Sequence, residues 1–205
     1  MGRRSLHTAE ELRELIISAS TSLIQEAGLG GLSAREIARR INYSPGTLYN
    51  SFENLDDLVL TIEGRLLDAL LAALAAVPTG GDPRDRVHKL AASYLAFAAR
   101  NPKLWNLLFE HYVPAAQSVP DSYRQKFEAL MGTIEDALRP LSADLGPEDI
   151  KRSARVLWAG VHGIASLSAA DKLSVIAAED ASVLVDDLVR TYLSGLEGAA
   201  LDKAG

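Results

Sequence analysis

Helix start signals recur along the whole chain, and no segment alternates apolar and polar residues between hairpin turns, so the sequence is confined to an all-α fold. Thr8 with Glu11 and Ser33 with Glu36 fit the capping box, in which each side chain satisfies an orphan amide of the other's residue. Ser44-Pro45, Asp82-Pro83, Asn101-Pro102 and Gly146-Pro147 each join an acceptable N-cap to a proline at the first helical position. Asn54, followed by Asp56 and Asp57, caps a further start, where the helix dipole favours carboxylates.

Between these starts the apolar residues repeat at helical spacing. Leu12, Leu15, Ile16, Ala19, Leu23, Ile24 and Ala27 form one stripe that ends at Gly28. Two short helices are predicted near 33–40 and 44–51, then a long one over about 54–76, stopped by the breaker VPTGGDP. Further helices are predicted near 83–100, 102–113, 120–139, 147–170 and 180–197, which makes about nine. The Ala-rich LLDALLAALAAV is compositionally plain, and the chain has no internal repeat.

Of the 205 residues 48% are hydrophobic, enough for one good core or for a small domain beside a larger one. Cysteine is absent, which rules out disulfides, thiolate metal sites and cysteine nucleophiles; no metal or cofactor is implied. The start MGRRSLHTAEEL has no apolar run behind its arginines and does not read as a secretory signal. The longest uncharged run, Val156–Ala170, falls short of the ~20 residues of a membrane span. The expectation is a soluble, cytoplasmic protein without a membrane partner. A net charge of −6 argues against a broad basic coat for nucleic acid, yet leaves room for a small basic patch on an acidic body.

The two short helices carry the functional signal. SAREIARR and SPGTLYNSF, joined by a tight turn, have the layout of a helix-turn-helix, whose second helix lies in the DNA major groove. Ile37, Ala38, Ile41, Leu48 and Phe52 supply the apolar contacts that fix one helix on the other. Ser44, Pro45, Gly46, Thr47, Tyr49 and Asn50 are left at the start and on the outer face, with Ser33 heading the first helix. Ser and Thr can donate to phosphates or bases, Asn can read adenine, and Tyr can bond a phosphate through its hydroxyl. Arg35, Arg39 and Arg40 stand against Glu36 alone, and Arg3 and Arg4 form a short basic arm before the first helix. Arg35, Arg40 and the arm are the candidate phosphate contacts, or else ordinary solvated charge. Glu10, Glu11 and Glu14 are expected to face away from DNA.

The run LSAREIARRINYSPGTLYNSFENLDDL resembles the DNA-binding region of TetR-family (tetracycline-repressor-like) transcriptional regulators. Ile37-Ala38, Ser44, Gly46, Thr47, Leu48, Tyr49, Phe52 and Leu58 stand in the positions of that family's pattern, over about residues 8–60. Asn42 occupies a turn position often held by glycine, and Asn tolerates the left-handed conformation. Leu55 stands where the family often has a phosphate-contacting lysine, so no basic contact is carried over to it. Farther along, Trp158-Ala-Gly-Val-His162-Gly163 resembles the Trp-x-x-x-His-Gly signature of WHG-type C-terminal domains, and YLAFAARNPKLWNLLF resembles their Tyr…Asn-Pro…Phe pattern. The resemblance implies a helix-turn-helix domain over 1–55 and an effector-binding and dimerisation domain over 56–205.

Trp158 and His162 share a helix face, where Gly163 would let a neighbouring helix approach. His162 either donates to a ligand in an interior cavity or is a core histidine with its own partner. Trp105, Leu108, Phe109 and Tyr112 form another apolar face, core or pocket lining. Val156, Ala159, Gly160, Ala165, Leu184, Leu188 and Tyr192 are candidates for a four-helix homodimer interface, or they finish the monomer core. A dimer would set two recognition helices about 34 Å apart on successive major grooves of a near-palindromic operator in double-stranded DNA.

Two other classes compete. For an all-α enzyme, His7, His88, His111 and His162 are dispersed, and no Glu-x-x-His pair, His-Glu-x-x-His or nucleotide-binding Gly-rich loop is present. A helix-turn-helix serving protein contact alone is disfavoured by the arginines and the Tyr-Asn face. The expected function is a dimeric repressor released from its operator by a small apolar effector, with the 54–76 helix carrying the movement.

Overall fold

Every start signal opens a helix in the computed structural model, which describes residues 7–111, 119–141 and 145–203, with backbone alone at 109–110 and 197–203. The α-helices are α1 (Ala9–Ala27), α2 (Ala34–Ile41), α3 (Leu55–Ala75), α4 (Pro83–Arg100), α5 (Pro102–Glu110), α6 (Asp121–Leu138), α7 (Pro147–Ala169), α8 (Leu173–Ile176) and α9 (Ala181–Lys203). Short 3-10 turns occupy Leu29–Gly31, Pro45–Asn50 and Arg139–Leu141, and no strand occurs among the described residues. The one-turn helix α8 carries no start signal. None of the described helices is long and apolar enough to cross a membrane.

The caps show how local chemistry sets the element ends. Thr8 Oγ1 accepts the Glu11 N–H at 3.2 Å while the Glu11 carboxylate accepts the Thr8 N–H at 2.7 Å, a complete capping box. At α2 only half the box forms: Ser33 Oγ accepts the Glu36 N–H at 3.2 Å, but the Glu36 carboxylate turns to Arg39 instead. An arginine one turn ahead competes successfully for it. Asn54 Oδ1 accepts the Asp57 N–H at 2.8 Å, and the Asp57 carboxylate reaches back to the Glu53 N–H at 3.0 Å.

The described residues fall into two compact units. One joins Met1–Leu66 to Lys103–Val119, the other Leu67–Pro102 to Pro120–Gly205. This division differs from a break at residue 55, because the first turns of α3 and nearly all of α5 belong with α1 and α2.

In the first unit α1 packs on α2, and α2 on the Pro45–Asn50 turn. Ile16, Ile24, Ile37, Leu48, Phe52 and Leu58 are buried; each such side chain removed from water contributes about 1.5–3 kcal/mol. From α5, Leu104, Trp105 and Leu107 are buried as well, with Trp105 at 0% exposure. At the end of α5, His111 Nδ1 lies 3.0 Å from Glu63 Oε1 and Nε2 lies 3.2 Å from Asp56 Oδ1. Glu63 and His111 are both almost wholly buried, and a buried carboxylate is tolerated only with such a partner. Lys103, near the start of α5, donates to the Glu26 carbonyl in the last turn of α1. Polar anchors thus hold both ends of α5 against helices of the first unit.

In the second unit α4, α7 and α9 pack on one another, and α6 covers α4 and α7. A Cβ at Gly160 would lie 2.7 Å from Leu188 Cδ2, so the missing side chain lets α9 approach α7. Gly163, expected to have this role, meets nothing within 4 Å in the chain. Its place is taken by the glycine one turn earlier.

His111→Ala is expected to lower the unfolding free energy by about 3 kcal/mol, because it strands the buried Glu63 carboxylate. Urea denaturation measures this; a loss below ~0.5 kcal/mol would mean that the carboxylate does not need the imidazole.

Candidate nucleic-acid interface and interior cavity

The turn before the recognition segment is closed by Asn42 in the left-handed conformation, at φ 58° and ψ 45°. Tyr43 N–H bonds Ala38 O and Asn42 N–H bonds Arg39 O, the paired bonds of a Schellman close. The segment itself, expected as an α-helix over 44–51, is a six-residue 3-10 turn, Pro45–Asn50. Thr47 N–H bonds Ser44 O and Ser51 N–H bonds Leu48 O, the i→i+3 pattern, while Phe52 N–H bonds Leu48 O, one residue farther along.

Two apolar residues pin this turn. Leu48 and Phe52 are each 2% exposed. The guanidinium of Arg13 lies 4.3 Å from the centroid of the Phe52 ring, and its Nη1 donates to Ser51 O at 2.7 Å. At the other side, His7 Nδ1 is 2.7 Å from the Tyr43 hydroxyl. Arg13, His7 and Tyr43 carry no sequence signal of this role, since their partners lie 36 or more residues away.

With the apolar side docked, the polar residues are presented together. Ser44, Pro45, Gly46, Tyr49 and Asn50 are exposed and Thr47 is half-buried. Tyr49 is 53% exposed. Ser44 Oγ and Thr47 Oγ1 are 3.0 Å apart, so one hydroxyl orients the other. Ser33 accepts the α2 cap bond, and its hydroxyl proton remains able to donate.

The cations divide sharply. Arg40 is clamped by Glu26 through bonds of 2.8 and 2.6 Å, which hold the Glu26 carboxyl below its usual range. The Lys103 contact lands on the same residue, so Arg40 serves the packing of α2 on α1. Arg39 is paired with Glu36. Arg35 is exposed and makes no ion pair among the described residues. Glu14 faces Arg65 at 2.8 Å. Arg3 and Arg4 lie outside the described residues.

The second unit encloses a cavity of about 430 Å³ of empty space, its open mouth included. Leu74 of α3, Val87, Leu90, Ala91 and Tyr94 of α4, Ile134 and Ala137 of α6, and Leu157, Trp158 and Val161 of α7 line it. Trp158 Nε1–H donates to the Tyr94 hydroxyl at 3.0 Å, and that hydroxyl is 3.0 Å from His162 Nδ1. His162 Nε2 is 3.0 Å from Ser166 Oγ, and its ring stacks on Trp158 at 5.2 Å. Burial pushes the Tyr94 phenol well above its usual range and the His162 imidazole below its own.

The expected ligand residues are therefore not one cluster. Trp158 lines the cavity, while His162 stands behind it with both ring nitrogens engaged. Trp105 belongs to the core of the first unit. The side chain of Phe109 and all of Tyr112 lie outside the described residues. Tyr94 and the aliphatic face of α4 were missed, because a stripe that lines a cavity has the same spacing as one that fills a core.

The proposed interface residues divide as well. Ala165 is 1% exposed and belongs to the subunit's own core. Gly160 and Leu188 meet each other, and the Tyr192 hydroxyl donates to Ser153 O at 3.0 Å. Val156 and Ala159 on α7 are exposed, and Leu184 on α9 is half-buried. For the enzyme alternative, Asp85 pairs with Lys89 and His88 with Asp186, so Asp85 and His88 do not act together. Among the described residues no group of three or more His, Asp or Glu could hold a metal ion.

Comparison with known proteins gives a consistent picture. A family model described as bacterial regulatory proteins, tetR family, matches residues 16–62. A second, described as tetracyclin repressor-like, C-terminal domain, matches residues 87–192. An HTH-type transcriptional regulator of Mycobacterium tuberculosis (strain H37Rv) is 23% identical over 220 residues, covering 91% of this chain and 93% of that protein. A protein of unknown function from Rhodococcus sp. RHA1 is 25% identical with a TM-score of 0.76, covering 96% of this chain and 100% of that one. The fold is also that of Thermus thermophilus FadR, a TetR-family transcriptional repressor solved with lauroyl-CoA, at a TM-score of 0.65 and 24% identity over 89% of this chain and 94% of that one.

Because burial holds the His162 imidazole below its usual range, that residue's share of the stability is complete above pH ~6.5 and declines as the pH falls below it. The urea midpoint of the wild type is expected to drop between pH 7.5 and 5.5 by more than that of His162→Gln. Equal drops would show that burial does not act on this imidazole. The carboxylates held low by arginines, Glu26 among them, lose their contribution only below ~4.5, outside this window.

Proposed function

Because the chain belongs to the TetR family of bacterial transcriptional regulators, we propose that it binds a near-palindromic operator as a homodimer and is released by a ligand in the second-unit cavity. The observation that carries the DNA-binding half is the docked turn. Burial of Leu48 and Phe52 leaves Ser44, Gly46, Thr47, Tyr49 and Asn50 on one outer surface, the chemistry that reads base edges and phosphates. Arg35 supplies a phosphate contact. Arg40 does not, since Glu26 holds it. Arg3 and Arg4 are assigned to the neighbouring backbone or minor groove, leading into His7, which is fixed to Tyr43.

The dimer is assigned to the outer faces of α7 and α9, where Val156 and Ala159 stay exposed beside Leu184. One six-residue turn offers too few base contacts for a specific affinity, and a two-fold pair doubles them. The protein is assigned to the cytoplasm with no catalytic activity, and the Trp158–His162–Gly163 run to the WHG-type of C-terminal domain. The ligand acts by binding the two operator-binding states unequally. α3 is the connecting element, because it starts in the first unit and its Leu74 reaches the cavity of the second.

Selection of bound DNA from a random pool tests this reading directly. It is expected to return a near-palindrome whose half-site centres lie about one helical turn, or a multiple of it, apart. Thr47→Ala and Tyr49→Phe should each weaken binding of that site about tenfold or more with fold and dimer intact. Arg35→Gln should weaken all DNA alike and make the salt dependence shallower by about one ion per subunit. Recovery of no preferred sequence, or full affinity in both face variants, would remove the assigned recognition surface.

A further inference from the structure

The cavity of the second unit has a chemistry of its own. No lysine, arginine, histidine, aspartate or glutamate lines it. The polar atoms on its wall, Trp158 Nε1 and the Tyr94 hydroxyl, are engaged with each other and with His162. The backbone offers an anion nothing either. The α4, α6 and α7 lining residues lie within helices, where their N–H groups are taken, and Leu74 stands in the last turn of α3, at the partially negative end of that helix. A charged group drawn into such a space loses its water and finds no counter-charge. The upward push on the Tyr94 phenol shows the same desolvation acting on a resident group.

We propose that this cavity takes an uncharged, hydrocarbon-rich molecule and discriminates against carboxylates and CoA thioesters. His162 is then a positioning residue. It holds the Tyr94 hydroxyl and, by stacking, the Trp158 indole in the wall, and it does not meet the ligand. The regulatory meaning of this selectivity rests on the reading of the cavity as the effector site; the selectivity itself does not.

The test is calorimetric titration of the full-length protein with 1-octanol, octanoate and octanoyl-CoA, paired with operator gel shifts. The alcohol is expected to bind on the order of a hundredfold more tightly than the carboxylate. Ala137→Leu, which fills the space, should weaken the alcohol at least about tenfold. Val161→Ala, which enlarges it and carries little risk to folding, should shift the preference towards 1-decanol. Octanoate or octanoyl-CoA binding as tightly as the alcohol, and sensitive to Ala137→Leu, would overturn the proposal. So would octanoate binding that strengthens as the pH falls below ~6 in the wild type but not in His162→Gln, which would identify protonated His162 as a counter-ion; strengthening in both is protonation of the fatty acid itself and agrees with the proposal. Binding of none of the three would overturn both the site and its effector role. Selective alcohol binding without operator release would uphold the selectivity and overturn the effector role alone.

Discussion

A six-residue 3-10 turn has no stability of its own in water, and Pro45–Asn50, the second half of the helix-turn-helix motif, is such a turn. What gives it one conformation is the burial of Leu48 and Phe52 against the first-unit core, with the Arg13 guanidinium over the Phe52 ring and a bond to Ser51 O beyond it. These contacts fix the rotation of the turn about its own axis. That rotation decides whether Thr47, Tyr49 and Asn50 point outward together. The Asn42 close and the Asn54 cap then fix its two ends. The presentation of the polar face is therefore set by the residues on the buried side of the turn.

The first unit extends beyond the segment that holds its motif. α5, some fifty residues after the recognition turn, adds Trp105 and three leucines, Leu104, Leu107 and Leu108, to that unit's core. Its ends are tied by Lys103 to α1 and by His111 to the Asp56 and Glu63 carboxylates of α3. α4 lines the cavity and is followed at once by α5, and α3 begins in one unit and ends in the other. Two covalent connections thus lead from the cavity walls to helices of the first unit. Under the proposed function, a ligand that biases the arrangement of α3 or α4 would act on DNA binding through these connections.

Much of this was legible in the sequence where the signal is local. The Thr8–Glu11 box, the prolines at the first helical positions, the left-handed Asn42 and the apolar spacing of α1 all act within a few residues, and each is found as expected. Where two local rules compete, the sequence does not rank them. Glu36 satisfies either the Ser33 cap or Arg39, and it takes the arginine. Long-range pairing leaves no mark at all. Arg40 reads as a phosphate contact or as solvated charge until Glu26 is seen beside it, and Trp105 as core or pocket lining until its unit is known. Gly160 and Gly163 are equivalent on paper, and only the position of Leu188 distinguishes them.

In the proposed repressor, two recognition turns are held at a spacing that a cavity ligand changes. The chain contains no cysteine, so Glu53→Cys, directly after the recognition turn, allows one spin label per subunit. The distance between the two labels, measured by pulsed electron resonance on operator-bound protein, is predicted to centre near ~34 Å plus the label arms. On titration with 1-octanol in the absence of DNA it should move away from that value. A single chain with no label pair, or a distance that ligand leaves unchanged while operator binding is lost, would contradict the account.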